Sequence, residues 1–325
     1  MPAHLYRPEN SVHAIHRIKA FGSTILALCF LAGCDVGLTS SSFPKARPAG
    51  LGQPVVQPTS QKSAALRSYL VQVQSSQLSQ GLLREDGGGP DTPFTADKLA
   101  ENFEEIVFFN EYASALQGRG GQSALRKWSA PIRIETIFGA GVPPSQRDQD
   151  KALVDSYARR LSEITNHPFS SFGTPNFIVI VAGEDDRDRA LDAAADRLSG
   201  VSRESLDPLR DLDRGTYCAV IAYSLGRDEN TYAYAVAVIR AENPSLMRLS
   251  CIHEELAQGM GLVNDSRTAR PSIFNDDDEF ALLTDHDELL LKMLYDPRLK
   301  HGMSATEAAP ITRIIARELT SSDPL

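Results

Sequence analysis

The stretch Cys251-Ile-His-Glu-Glu-Leu-Ala-Gln-Gly-Met-Gly-Leu-Val-Asn-Asp265 decides how the rest of the chain is read. At 100° per residue, Leu249, Ile252, Leu256, Met260 and Val263 fall on one helical stripe that should face a core. Cys251, Glu254, Glu255 and Gln258 fall on the opposite side. Metal-dependent hydrolysis on a helix needs two ligands one turn apart, with a carboxylate between them to deprotonate a metal-bound water. Starting that pattern at His253 puts Ala257 at the second ligand place, and alanine cannot coordinate. Starting it at Glu254 places ligands at Glu254 and Gln258 and the general base at Glu255. Gly261 then permits a turn that brings Asn264 or Asp265 round as a third ligand. His253 is left as a packing residue.

The donor types narrow the chemistry. Zinc prefers imidazole and thiolate, and a neutral amide is a poor ligand for it. A set of Glu254, Gln258 and Asp265 is all-oxygen, closer to what calcium or manganese accepts. A divalent metal is therefore the cofactor this set admits, with zinc not assured. A solvated helix face is the competing reading of the same spacing, and both stay open at this point.

Outward from the motif, periodicity predicts helices over 96–115, 187–198, 285–295 and 304–318, with another carrying Leu153, Tyr157, Leu161 and Ile164. Strands are expected at 131–138, 176–182, 217–223 and 231–240. Mixed elements in this order predict an α+β domain over 95–325, about 230 residues and within the size of one domain. Residues 34–94, rich in Ser, Pro, Gly and Gln, read as a flexible tether, with a helical piece at 65–83. Asp276-Asp-Asp-Glu279 reads as a solvated acidic loop or a calcium site. His286 and His301 read as surface positions, and Asp285 and Asp287 as helix-dipole partners.

At the N-terminus, Arg17 and Lys19 precede an apolar run from Phe21 to Leu31, too short at about 11 residues to span a bilayer. It ends in Leu31-Ala32-Gly33-Cys34, which resembles a bacterial lipobox. Residues 1–33 are thus expected to be a lipoprotein signal peptide and Cys34 the lipidated first residue of the mature chain. That places a membrane-anchored protein in the bacterial cell envelope, facing the periplasm. Its partners would be the membrane and an envelope protein or peptide. Removing residues 1–33 takes away three basic residues and one acidic one, moving the net charge from −9 to −11. Such acidity argues against nucleic acid. Cys29 leaves with the signal, so Cys218 and Cys251 remain, and two cysteines in an oxidising compartment often pair.

Three blocks in order, Cys251–Asp265, Pro271-Ser-Ile-Phe-Asn-Asp276 and Leu294-Tyr-Asp-Pro-Arg-Leu299, resemble the proteobacterial lipoprotein family called domain of unknown function 2927. The same stretch is similar to the metzincin peptidases, the matrixins in particular, which follow their zinc-binding helix with a methionine-containing turn and a closing helix. Here Ser272-Ile-Phe-Asn275 stands at that turn without its methionine, and no metzincin histidine ligand is kept. Only Glu255 matches the general base by position. The resemblance implies a single zincin-like domain with a mixed sheet and an active-site-type helix. With its site degenerate, a binding or structural role is expected. An active metal-dependent peptidase using Glu255 and a calcium- or partner-binding module are the alternatives.

Overall fold

The computed structural model describes residues 59–109, 123–224, 229–275 and 277–321. The signal segment, Cys34 and Asp276 lie outside these. The apolar run Phe177–Ala182 is fully buried and forms β4, and its alternation divides the molecule into two cores. Phe177, Val179 and Val181 point to the larger core, Ile178, Ile180 and Ala182 to the smaller. A strand that is apolar on both faces needs cover on both.

Around β4 the sheet runs β1 (Lys127–Trp128), β6 (Thr231–Arg240), β4, β2 (Ile132–Phe138) and β3 (Phe169–Ser170), all pairs parallel. β5 (Cys218–Ser224) pairs with β6 in the antiparallel sense, setting Cys218 opposite Ile239. The larger core is covered by α2 (Ala96–Val107), α3 (Pro144–Thr165), α5 (Ser245–Met260), α6 (Asp285–Leu294) and α7 (Ala305–Thr320). The smaller core is covered by α4 (Arg187–Ala195) and a short 3-10 helix, Glu204–Leu209. The architecture is α+β, with a mostly parallel mixed sheet.

The folded part extends N-terminal to Thr95, where a tether was expected. Residues Gln61–Ser79 form α1, capped by the Ser60 hydroxyl accepting from Ser63 N at 3.1 Å. Leu66 and Leu70 bury against Met247, flanked by Tyr69, Val73 and Tyr217. Ser63 Oγ donates to Glu242 at 2.5 Å, and Met247 N donates to Gln74 at 3.1 Å. The helical piece expected at 65–83 thus begins four residues earlier, and serine and glutamine around so narrow an apolar stripe hide its packing from a periodicity reading. Only contact with α5 completes its cover.

Candidate functional site around the motif helix

Residues 245–260 form α5, ended by Gly261 at φ 127°. A Cβ there would sit 2.6 Å from Arg126 O and 3.0 Å from a Leu294 methyl, so glycine alone allows the chain to turn here. The helix is not amphipathic in the expected way. Glu255 keeps only 2 % of its surface and Gln258 only 7 %, whereas Leu249 is half-buried. A helix inserted between a sheet and other helices buries polar and apolar residues alike, and on this edge Glu254 stays only half-buried. The solvated-face reading of Glu255 and Gln258 is therefore corrected.

One side of α5 meets the sheet. Cys251 is joined to Cys218 of β5 by a disulfide with 5.9 Å between Cα atoms. Gly259 packs so closely on Phe177 that a Cβ would fall 2.5 Å from the ring. Trp128 Nε1 donates to Gly259 O at 2.8 Å. The other side meets α3 and the closing segment. His253 stacks on Tyr157 with ring centroids 4.0 Å apart, and its Nδ1 accepts from Leu283 N at 3.1 Å. Burial pushes this imidazole down to about 3, with the nearby Arg160 charge adding to the effect. His253 is thus a neutral packing residue with its proton on Nε2.

Part of the expected ligand set, Glu254 and Glu255, comes together with a sulfur. Among the described residues, the group of three metal-capable side chains is Cys218, Glu254 and Glu255, whose donor atoms lie within 4.8 Å of one another. Asp265 is not among them, although the turn at Gly261 was expected to deliver it. After that turn the chain runs toward α2. Asn264 Nδ2 donates to Glu105 O at 3.1 Å and to Asp265 O at 2.8 Å. Ser266 Oγ hydrogen-bonds the Glu105 carboxylate, and Thr268 Oγ1 donates to Asn102 at 3.2 Å. Asn264 is thus engaged with α2, and Asp265 lies outside the group formed by Cys218, Glu254 and Glu255.

What the structure does bring together is the three sequence blocks. Asp287, fully buried, accepts from Ser272 Oγ at 2.5 Å and Ile273 N at 3.0 Å, and from Thr284 N and Oγ1. It anchors the turn before α6 as well as capping that helix, a larger part than a dipole partner. Ser266 N donates to Phe274 O at 2.8 Å, tying that turn to the segment after α5. Tyr295 OH donates to Met260 O at 3.1 Å. Lys127 Nζ donates to Leu294 O at 2.8 Å and Leu299 O at 2.9 Å, and burial lowers its ammonium to about 8. Block one is thus buttressed by blocks two and three.

His286 is fully buried, not a surface residue, with Nε2 3.1 Å from the Asn102 amide and its ring against Phe94. His301 holds Ser129 at 3.0 Å, far along the chain from the motif. In the acidic loop, Glu279 pairs with Arg84 at 3.0 Å and Arg270 at 2.6 Å, and Asp278 accepts from Gln77 at 2.8 Å. These partners make the loop a clamp on the segment after α1.

Reading from sequence missed a second polar cluster. Arg240, 1 % exposed at the end of β6, pairs with Glu184 and donates to Leu212 O, Asp213 O and Thr216 O. Arg187 and Lys62 reach the same carboxylate at 2.6 and 2.5 Å. Burial by itself would push Glu184 up, yet the three cations outweigh it and bring the carboxyl down to about 2. An arginine closing the apolar strand Tyr-Ala-Val-Ala-Val-Ile-Arg240 was the available signal, since a buried guanidinium demands partners.

An α+β domain with a parallel-sheet core, and a buried motif helix fastened to it by a disulfide and a glycine contact, is the class these observations define. A family model described as a protein of unknown function, DUF2927, matches residues 96–314. The chain belongs to that family. No curated protein and no solved structure matches it.

Proposed function

We propose that this is a lipid-anchored protein of the bacterial envelope whose zincin-like domain keeps the frame of a peptidase site helix without its chemistry. Its role is binding or structural. The observation that carries this reading is the burial of Glu255 and Gln258 at 2 % and 7 % exposure, with Asp265 outside the donor group. A general base must reach a substrate-bound water, and an edge packed on a sheet leaves no room for a peptide. The helix, turn and closing-helix order around α5, with Ser272–Asn275 fastened by Asp287, supports the likeness to zincins. No helix among the described residues is long and apolar enough to cross a membrane, which is compatible with anchorage through Cys34.

The test uses the mature chain, purified with its disulfide intact. The expected outcome is no cleavage of an unfolded protein substrate above the level of Glu255→Gln. Turnover that vanishes in Glu255→Gln would establish the peptidase instead. For the anchor, Cys34→Ser should stop incorporation of labelled fatty acid and release the protein from the membrane fraction. Unchanged labelling would remove the lipoprotein assignment.

A further inference from the structure

The corner between β5 and α5 holds an unusual set of donors. Cys218, Glu254 and Glu255 each offer an atom within 4.8 Å of the others, and Cys218 Sγ lies 4.0 Å from Glu254 Oε2. In the disulfide that sulfur carries no proton, so this is a contact and not a hydrogen bond. Cys251 brings a second sulfur, because it is bonded to Cys218 and sits one turn before Glu254 on the same helix. One sulfur and two carboxylates thus converge from one strand and one helix, with the second sulfur bonded to the first. A four-coordinate ion with bonds of about 2.0–2.3 Å needs donors roughly 3.5 Å apart.

Oxidation state controls the chemistry of the set. A disulfide sulfur is neutral and a weak donor, whereas a thiolate is among the strongest ligands for a borderline divalent ion. We propose that opening the Cys218–Cys251 bridge turns this corner into a zinc-class site, with Cys218, Cys251, Glu254 and Glu255 as ligands. The step balances with a dithiol as reductant. The S–S bond breaks, each sulfur takes a hydrogen from the dithiol, and the dithiol closes to its own disulfide. The arriving divalent ion then displaces both thiol protons to solvent. Cys218 keeps 9 % of its surface, which gives a small reductant access.

Electrostatics favours the ion at the same place. Two carboxylates of adjacent residues lie close together, one of them nearly buried, and a thiolate beside them would add like charge. A divalent cation offsets that repulsion. The mixed sulfur and oxygen donors select zinc or cobalt over calcium or magnesium, which take oxygen alone. The site differs from the peptidase pattern: Glu255 is a ligand here, and Gln258 takes no part. The proposal therefore stands or falls separately from the absence of peptidase activity.

The experiment uses the mature chain, stripped of metal with a chelator and split into two portions. One stays oxidised. The other is treated with dithiothreitol and desalted without air. Each is titrated with zinc and passed through a gel-filtration column before metal analysis, and cobalt is used in parallel as a spectroscopic probe. The reduced chain should retain one zinc, and its cobalt form should show sulfur-to-metal charge-transfer absorption. The oxidised chain should retain none. The Glu254→Gln, Glu255→Gln double variant keeps both cysteines and can fold in its oxidised form. After reduction it should bind zinc at least about tenfold more weakly. Equal zinc in oxidised and reduced chains, no zinc in the reduced chain, or undiminished binding by the double variant would each overturn the proposal.

Discussion

Gly259 shows how much a single residue decides in this molecule. Its missing side chain lets α5 lie on Phe177, and a Cβ would meet the ring at 2.5 Å. Gly259→Ala should therefore lower stability by about 1–3 kcal/mol, the usual range for overpacking a tight core. Chemical denaturation measures it, and Phe177→Leu in the same chain should recover part of the loss. No recovery would mean the helix sits on the sheet otherwise than described. At the same scale, the spacing reading of Glu254, Glu255 and Gln258 placed all three on one helix edge, as a helix must. What spacing could not supply was the direction of that edge. Both sides of α5 carry cover, so polar and apolar residues are buried alike and the pattern loses its meaning.

Among elements, the turn before α6 depends on one carboxylate. Asp287 serves Ser272, Ile273 and Thr284 together, in a fully buried place. Asp287→Asn keeps the shape but removes the charge that strengthens all of these bonds, and the amide nitrogen takes the place of the oxygen that accepts from Ser272. The expected cost is about 2–4 kcal/mol, read as a lower denaturant midpoint. A change below about 0.5 kcal/mol would show that the turn is held by its packing alone. The elements themselves were largely legible. Alternation in residues 131–138, the continuous apolar run within 176–182, and the 3.6-residue period of Tyr157 and Leu161 predicted β2, β4 and α3 close to their observed places. α1 was read as a helical piece at 65–83, but its packing was not legible, because its apolar stripe is short and its partner, Met247, lies some 180 residues away in sequence. β1 escaped as well, being two residues long.

For the whole molecule, the Glu184 cluster gives stability a defined dependence on acid. The folded carboxyl sits near 2, below its ordinary 4.5. Its contribution is therefore fully present above pH 4.5 and is lost as pH falls from about 4.5 toward 2. Allowing for solvent screening, about 1–2 kcal/mol is involved. Melting temperatures of wild type and Glu184→Gln should converge over that window. A gap that stays constant from pH 5 to about pH 2.5 would assign the stability to neutral packing. The cluster also explains why α1 belongs to the folded body: Lys62 and Ser63 bind Glu184 and Glu242 at the ends of β4 and β6.

Sequence alone determined the order and kind of the principal elements and the family to which the chain belongs, because periodicity and short motifs are local properties of the chain. It also brought Cys218 and Cys251 forward as the two cysteines left to pair. Tertiary structure decided the rest. It turned Glu255 and Gln258 inward, sent Asn264 toward α2, and set Cys218 beside Glu254. These outcomes depend on which surfaces a helix finds on either side of it. That is a matter of contacts between distant residues, which spacing within one helix does not encode.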